Sequence, residues 1–154
     1  MDQGRRRGAC LRASGLLDGR AVRISPAGRT RATAREMGVA GPVDPRLREI
    51  GVGAWEGRLA AEVRAEHPDL IDAENPLDWY FAAPGGEGLA AFEGRLAALL
   101  DDLDGPALLI THGIASLAIR GLALGLPYED WHTQPRGQGV AFHLQGGSVT
   151  RIEP

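Results

Sequence analysis

The chain has 154 residues, a formal net charge of −3 and 44% hydrophobic residues. This length suits a single domain over residues 1–154, and the balance of charge and hydrophobicity excludes an intrinsically disordered chain. A single cysteine excludes a disulfide framework and any zinc module built from several cysteines. No apolar run approaches the length of a membrane span, and no apolar stretch follows the basic start. We therefore expect a cytoplasmic protein.

The charge is distributed unevenly along the chain. Residues 1–35 carry nine arginines against Asp2 and Asp18, a net charge of +7, whereas residues 36–154 carry a net charge of −10. A basic segment invites a nucleic-acid-binding interpretation. However, no aromatic residue precedes Trp55, so the segment lacks a surface on which bases could stack. We therefore expect no nucleic acid partner.

The first third of the chain contains one predicted strand between two predicted helices. Apolar spacing over residues 10–17 predicts a short helix that stops at Gly19. A strand is predicted over 21–25, and a helix over 29–37 follows a tight turn. The next stretch, up to residue 57, is rich in proline and glycine and predicts a loop.

The remaining elements alternate between helices and strands. A short helix is predicted over 59–66, and the leucine spacing over 89–103 gives a second helix one apolar face. The continuous apolar run at 107–111 is typical of a strand inside a parallel sheet, and a helix over 113–124 follows it. Two final strands flank a Gly-Gly turn at 146–147. This order predicts a three-layer α/β/α sandwich.

Two of the predicted strands deliver polar residues to the same place. The strand that ends at Ser25 leads to Arg29 at the start of a helix, and the strand that ends at Thr111 leads to His112. Ligands of open α/β sheets gather at the carboxyl ends of the strands, where helix N-termini present free N–H groups to anions. An arginine and a histidine at that edge predict a phosphate site.

Two glycine-rich loops add carboxylates. Glu49 belongs to the loop before Gly53, and a carboxyl group there is placed to protonate a leaving alkoxide beside a phosphate. Glu87 lies in a flexible turn just before the long helix. Glu56 and Glu87 are local competitors for the role of Glu49. None of the four histidines is spaced from another as metal ligands are, so we expect no metal site.

Four short motifs, in this order, resemble the histidine phosphatase superfamily, which has the phosphoglycerate mutase-like fold. The resemblance covers nearly the whole chain. The motifs are Ser25…Arg29-Thr30-Arg31-Ala32-Thr33-Ala34, Leu47-Arg48-Glu49…Gly53-Ala54-Trp55-Glu56-Gly57, Pro84-Gly85-Gly86-Glu87 and Thr111-His112-Gly113.

The resemblance implies a role for each of these residues. Arg29 and His112 would bind the phosphate, with His112 also the second catalytic histidine of the pocket, and Glu49 would protonate the leaving group. Glu87 would lie at the rim, and Trp79 is a second rim candidate. The expected ligand is a small phosphorylated substrate or inorganic phosphate. No metal or other cofactor is implied, because arginines and histidines stabilise the charge.

One family feature has no counterpart in this sequence. The family's nucleophile is the histidine of an Arg-His-Gly triplet that ends its first strand, and no such triplet occurs here. The chain would therefore begin after that strand, which in the family lies centrally, beside the strand equivalent to 107–111. A sheet without it would have exposed edges, so a homodimer formed by strand pairing is one expectation.

Two functions remain open on these observations. The first is a phosphomonoester hydrolase or mutase of the histidine phosphatase type, impaired as written because the nucleophile is absent. The second is a non-catalytic remnant of that fold that binds a phosphorylated ligand or a partner.

Overall fold

The structure, a computed structural model, describes residues 3–70 and 73–153. Two parallel strands, a separate hairpin and six α-helices make up most of the regular structure of these residues. In chain order the elements are α1 (Gln3–Ala13), β1 (Ala21–Ile24), α2 (Gly28–Met37), α3 (Ala60–Glu66), α4 (Asp78–Phe81), α5 (Leu89–Asp101), β2 (Ala107–Ile110), α6 (Gly113–Ala123), β3 (Ala141–Gln145) and β4 (Ser148–Ile152).

Strand β1 pairs with β2 in parallel, in a register that sets Ile24 opposite Ile110. Beyond the end of β1, the N–H of Ser25 donates to the carbonyl of Ile110 at 2.9 Å, so the pairing continues into the residues that follow the strands. On the other side of β1, Val43 forms an isolated parallel bridge with Ile24. The carboxyl ends of β1 and β2 therefore meet at one edge.

Helices cover both faces of this strand pair. Ile110 and Leu108 of β2 pack on one face, in a cluster with Leu11 of α1 and Met37 of α2. Leu109 points to the opposite face, where the buried side chains of α5 and α6 form the larger cluster. A strand covered on both faces is apolar throughout, which accounts for the continuous run at 107–110. The layers are those of the predicted α/β/α sandwich.

The hairpin of β3 and β4 forms a second sheet. It is antiparallel, with Gln145 paired to Ser148 across a Gly-Gly turn, as predicted. Within the described residues β2 and β3 are not paired with each other, so each sheet has two strands. A cavity of about 1220 Å³ lies between them.

Two element predictions need correction. The first helix ends at Ala13 rather than near Gly19, because Gly15 adopts a left-handed conformation (φ 69°) and Leu16 donates its N–H back to the carbonyl of Leu11. This is the Schellman arrangement, which closes a helix. In addition, one turn of helix, α4, lies between α3 and α5, where the sequence predicted no helix. None of the described helices has the length and apolarity needed to cross a membrane.

Helix α6 approaches the aromatic ring of Trp131 through a glycine. Trp131 is buried, and a Cβ built at Gly121 would overlap its indole ring. Gly94, in α5, is exposed and would meet nothing within 4 Å. The two glycines therefore form a matched pair, one at a close approach and one in open space.

We expect Gly121→Ala to destabilise the fold by about 1–3 kcal/mol, because overpacking forces Trp131 or the helix to shift. Gly94→Ala should instead stabilise it by roughly 0.5–1 kcal/mol, as alanine does in an exposed helix. Urea unfolding monitored by tryptophan fluorescence measures both. Equal stability of the two variants would contradict the close packing of α6 on Trp131.

Candidate phosphate-binding site

The site is built on the carboxyl ends of β1 and β2. Ser25 follows β1 directly, and its side chain is fully buried. His112 follows β2 by two residues and is the N-cap of α6. The Ser25 Oγ and the His112 Nε2 lie 2.7 Å apart although the residues are 87 positions apart in the chain.

Arg29 completes a chain of three side chains. It stands in the first turn of α2, and its Nε and Nη2 atoms lie 3.1 and 2.7 Å from the Nδ1 atom of His112. A guanidinium can only donate, so Nδ1 accepts in this arrangement. The proton of a neutral imidazole then lies on Nε2, which donates to the Ser25 hydroxyl.

The surroundings of His112 favour its neutral form. The pKa of His112 is lowered from its usual value of 6.5, first by burial and then by the positive charge of Arg29, while Glu49 opposes the shift. A neutral imidazole can accept on one nitrogen and donate on the other, as the contacts with Arg29 and Ser25 require.

Glu49 reaches the same edge from the loop before Gly53. Its Oε1 accepts the N–H of Ala115 at 2.8 Å, and its Oε2 accepts the N–H of Ile114 at 3.1 Å. These are free amides of the first turn of α6, where the helix dipole favours negative charge. The carboxylate of Glu49 therefore lies beside His112 at a position suited to an anion.

Glu87 forms ion pairs with two arginines next to the Glu49 loop. Its carboxylate is bound by Arg95 and by Arg48, at 3.0 and 2.9 Å, and only 9% of its side chain is exposed. Burial opposes ionisation, but the hydrogen bond from Arg95 and the charges of both arginines outweigh it, and the pKa of Glu87 is lowered. Arg95 also donates to the backbone carbonyl of Glu49 at 3.2 Å.

Neither of the two rim candidates, Trp79 and Glu87, is among the residues that line the cavity between β2 and β3. Trp79 stacks on Trp55, with ring centroids 6.1 Å apart. The structure brings Arg29, Glu49 and His112 together along that cavity. The contacts made by Glu87 are those of a residue that holds the Glu49 loop in place.

Sequence reasoning missed two further residues at the site. Tyr80, in the one-turn helix α4, lines the cavity together with Arg136. Burial, followed by the negative charge of Glu49, raises the pKa of Tyr80. No periodic pattern marks a helix of four residues, so the sequence held no signal for Tyr80. Among the described residues, no group of three potential metal ligands is placed to hold a metal ion.

The comparisons with known proteins identify the family of this arrangement. The model of the histidine phosphatase superfamily (branch 1) matches residues 2–152. The chain is 31% identical, over 123 residues, to a glucosyl-3-phosphoglycerate phosphatase of Mycolicibacterium vanbaalenii, covering 72% of this chain and 54% of that one. It is 32% identical, over 142 residues, to a probable phosphoglycerate mutase of Yersinia pestis, covering 84% of this chain and 60% of the other.

A solved structure agrees with the sequence comparisons. A mycobacterial glucosyl-3-phosphoglycerate phosphatase in complex with inorganic phosphate superposes with a TM-score of 0.69 at 22% identity, over 99% of this chain and 82% of the other. The likeness confirms the predicted phosphoglycerate mutase-like fold. The chain spans little more than half the length of the curated relatives that it matches.

The lowered pKa of His112 makes stability depend on pH. The unfolded chain binds a proton near pH 6.5, whereas the folded chain binds it only at lower pH, so the folded state loses stability as the pH falls below about 6.5. We expect His112→Gln, which keeps a donor and an acceptor, to remove this part of the pH dependence. Thermal unfolding between pH 5 and pH 8 measures the difference. Parallel curves for the two proteins would contradict the assignment of a neutral, buried imidazole.

Proposed function

Because the chain belongs to the histidine phosphatase superfamily, we propose that Arg29 and His112 bind the phosphate group of a small phosphomonoester. The observation that supports this most is the direct contact of the Arg29 guanidinium with His112 at the N-terminus of α6. A fixed cation, a hydrogen-bonding imidazole and free helix amides are the groups that recognise phosphate oxygens.

The accessibility of Arg29 supports the same function. Arg29 is exposed, whereas its partners Ser25 and His112 are buried. An incoming phosphate can therefore reach the Arg29 guanidinium from solvent. Its oxygens would then accept hydrogen bonds from the Nε and Nη2 atoms of Arg29, which in the free protein contact His112. The Nδ1 atom of His112 is then free, and a proton gained there from solvent or from the ligand gives the imidazole a second donor toward the anion.

Glu49 is the proposed proton donor to the leaving alkoxide. Its Oε2 atom lies next to Gly113, the residue directly after His112: a Cβ added at Gly113 would be 3.8 Å from this oxygen. The N–H groups of Ile114 and Ala115 donate to this carboxylate, and the same N–H groups would donate to an anion bound at the helix N-terminus. A bound phosphate would compete with the carboxylate for these amides, and a protonated Glu49 would relieve the repulsion between the two.

Formation of phosphohistidine is the step for which these residues are least suited. With phosphate bound, the Nε2 atom of His112 is still engaged by Ser25 and the released Nδ1 atom carries a proton toward the anion, so neither nitrogen offers a lone pair. No second histidine belongs to the described cluster of Arg29, Glu49 and His112. In phosphoryl transfer, catalysis comes mainly from positioning, so a histidine without an in-line approach contributes little. We therefore propose that residues 1–154 bind phosphate but do not hydrolyse phosphomonoesters by themselves.

The relatives support a small phosphorylated metabolite as the ligand. Their names refer to glucosyl-3-phosphoglycerate and phosphoglycerate, which each carry both a phosphate group and a carboxyl group on a three-carbon unit. The exposed Arg136 lies along the same cavity as Arg29 and offers a second positive charge. A ligand with a carboxylate in addition to its phosphate would use both arginines.

Phosphate should raise the melting temperature of the chain, because a ligand that binds only the folded state stabilises it. A ligand at 100 times its Kd stabilises by about 2.7 kcal/mol, which corresponds to a shift of several degrees for a domain of this size. We expect Arg29→Met to abolish the shift, while Arg31→Met, an exposed arginine of the same helix, keeps it. Differential scanning fluorimetry with phosphate and with vanadate measures both.

A phosphate shift that survives in Arg29→Met would place the anion elsewhere and refute the proposed site. Sodium chloride at equal ionic strength controls for general salt effects.

Turnover of p-nitrophenyl phosphate should not exceed that of a buffer blank for residues 1–154, because the phosphate has no free, in-line nucleophile. The release of p-nitrophenolate at saturating substrate measures this. Turnover that vanishes in His112→Ala would show that His112 is required for hydrolysis and would favour a hydrolase over a binding protein. Turnover that survives His112→Ala would contradict the site altogether.

A further inference from the structure

The segment that ends at Glu49 is held along its backbone by side chains. The carbonyl of Leu47 accepts the hydroxyl of Thr111 at 2.7 Å. The carbonyls of Arg46 and Glu49 both accept hydrogen bonds from Arg95 of α5. Beyond Leu47 the segment belongs to no helix or strand. Side chains therefore take the place of regular backbone hydrogen bonds in setting the position of Glu49.

Arg95 is itself held firmly. Its side chain is only 9% exposed, and its Nε and Nη2 atoms bind the two carboxylate oxygens of Glu87 at 2.5 and 3.0 Å. The guanidinium carbon also lies 4.7 Å from the centre of the ring of Phe92, which is fully buried. A guanidinium is planar and offers its donors in fixed directions. The two carbonyls that Arg95 binds are therefore kept in one position relative to α5.

A second arginine makes the same connection in the reverse direction. Arg46 extends from the segment to the end of α5, where its Nη1 atom donates to the carbonyl of Ala98 at 3.0 Å and to Asp102 at 2.6 Å. A cation near the C-terminal end of a helix is favoured by the helix dipole. Arg95 and Arg46 thus connect the segment to the same helix in both directions.

The carboxylate of Glu49 carries this arrangement on to α6. Its two oxygens accept the N–H groups of Ile114 and Ala115, and its Oε1 also accepts the N–H of Ile50 at 3.2 Å. The first four N–H groups of an α-helix have no acceptor within the helix. The amides of Ile114 and Ala115 therefore depend on Glu49, and a displacement of Glu49 away from α5 would uncover them.

We propose that Arg95 is a positioning residue, which holds the carboxylate of Glu49 on the N-terminus of α6 as a resident anion that phosphate must displace or neutralise. Glu87 orients Arg95, and Arg46 supports the same segment. The displacement by phosphate rests on the proposed function. The positioning of Glu49 by Arg95 does not, because it concerns the free protein.

Hydrogen exchange, measured by NMR on the whole chain without ligand, tests the positioning. The variant is Arg95→Lys, which keeps a cation for Glu87 but lacks the planar fork that reaches two carbonyls. The protection of the Ala115 amide should fall by about 10-fold, to the level found in Glu49→Ala. The fall is measured relative to Ile119, farther along the same helix, which reports any general loss of stability.

Two further variants complete the exchange experiment. Arg58→Met is the matched control, since Arg58 forms its ion pair with the exposed Glu66 and should leave the protection of Ala115 unchanged. Arg46→Lys leaves the buried pair of Arg95 and Glu87 intact and serves if Arg95→Lys does not fold. It should lower the relative protection of Ala115 by a smaller factor, because one of the two connections to α5 remains.

The affinity for inorganic phosphate tests the displacement. At pH 8, where carboxylates are ionised, titration calorimetry should give Arg95→Lys a Kd about 3- to 10-fold lower than that of the unchanged chain, because the competing anion is no longer held on the amides. In a Glu49→Ala background the same substitution should change nothing, since Arg95 acts through Glu49.

Three results would overturn the proposal. Unchanged relative protection of Ala115 in Arg95→Lys would show that Glu49 keeps its place without Arg95. Weaker phosphate binding in Arg95→Lys would contradict the displacement of a resident anion. An equal effect of Arg95→Lys with and without Glu49 would show that Arg95 acts on the site by another route. If neither the unchanged chain nor any variant binds phosphate, the proposed function is refuted, whereas the exchange data still decide whether Arg95 positions Glu49.

Discussion

The parallel pairing of β1 with β2 is the constraint on which the site depends. Its register sets Ile24 opposite Ile110, and this fixes Ser25 and His112 side by side just beyond the strands. A shift of the register by one residue would turn each strand's side chains to the opposite face. The apolar residues of β2, which contact a different helical layer at each position, oppose such a shift. The packing of the core and the geometry of the site are therefore set by the same pairing.

A second set of contacts holds the acidic part of the site. Glu49 lies in a loop without regular hydrogen bonding, yet both its side chain and its backbone are held by hydrogen bonds. Its carboxylate is bound by amides of α6, and its carbonyl is bound by Arg95, whose guanidinium also pairs with Glu87. Since Arg95 and the Glu87 side chain are each only 9% exposed, this ion pair is screened little by solvent. Glu87 thus holds Arg95 in the position from which Arg95 binds the backbone of Glu49.

The sequence predicted the regular frame and the meeting of Arg29 with His112, because both depend on strong local patterns. A continuous apolar run marks a central strand, and residues that follow parallel strands share one edge. The position of Glu49 on the N-terminus of α6 had no such pattern, since it depends on how an aperiodic loop folds back. The role of Arg95 was also beyond prediction. The leucine spacing marks the apolar face of α5, but it does not reveal which loop a polar residue of that helix binds.

The distance along the chain between Ser25 and His112 bears on how the protein folds. The two residues are 87 positions apart, and everything between them must form a closed loop before β1 and β2 can pair. Closing a loop of that length costs conformational entropy before any hydrogen bond compensates for it, and such non-local pairing slows folding. The helices α2 and α5 rest on local contacts and can form earlier. By this argument the cluster of Ser25, Arg29 and His112 forms after the helices, because it requires the pairing of β1 with β2.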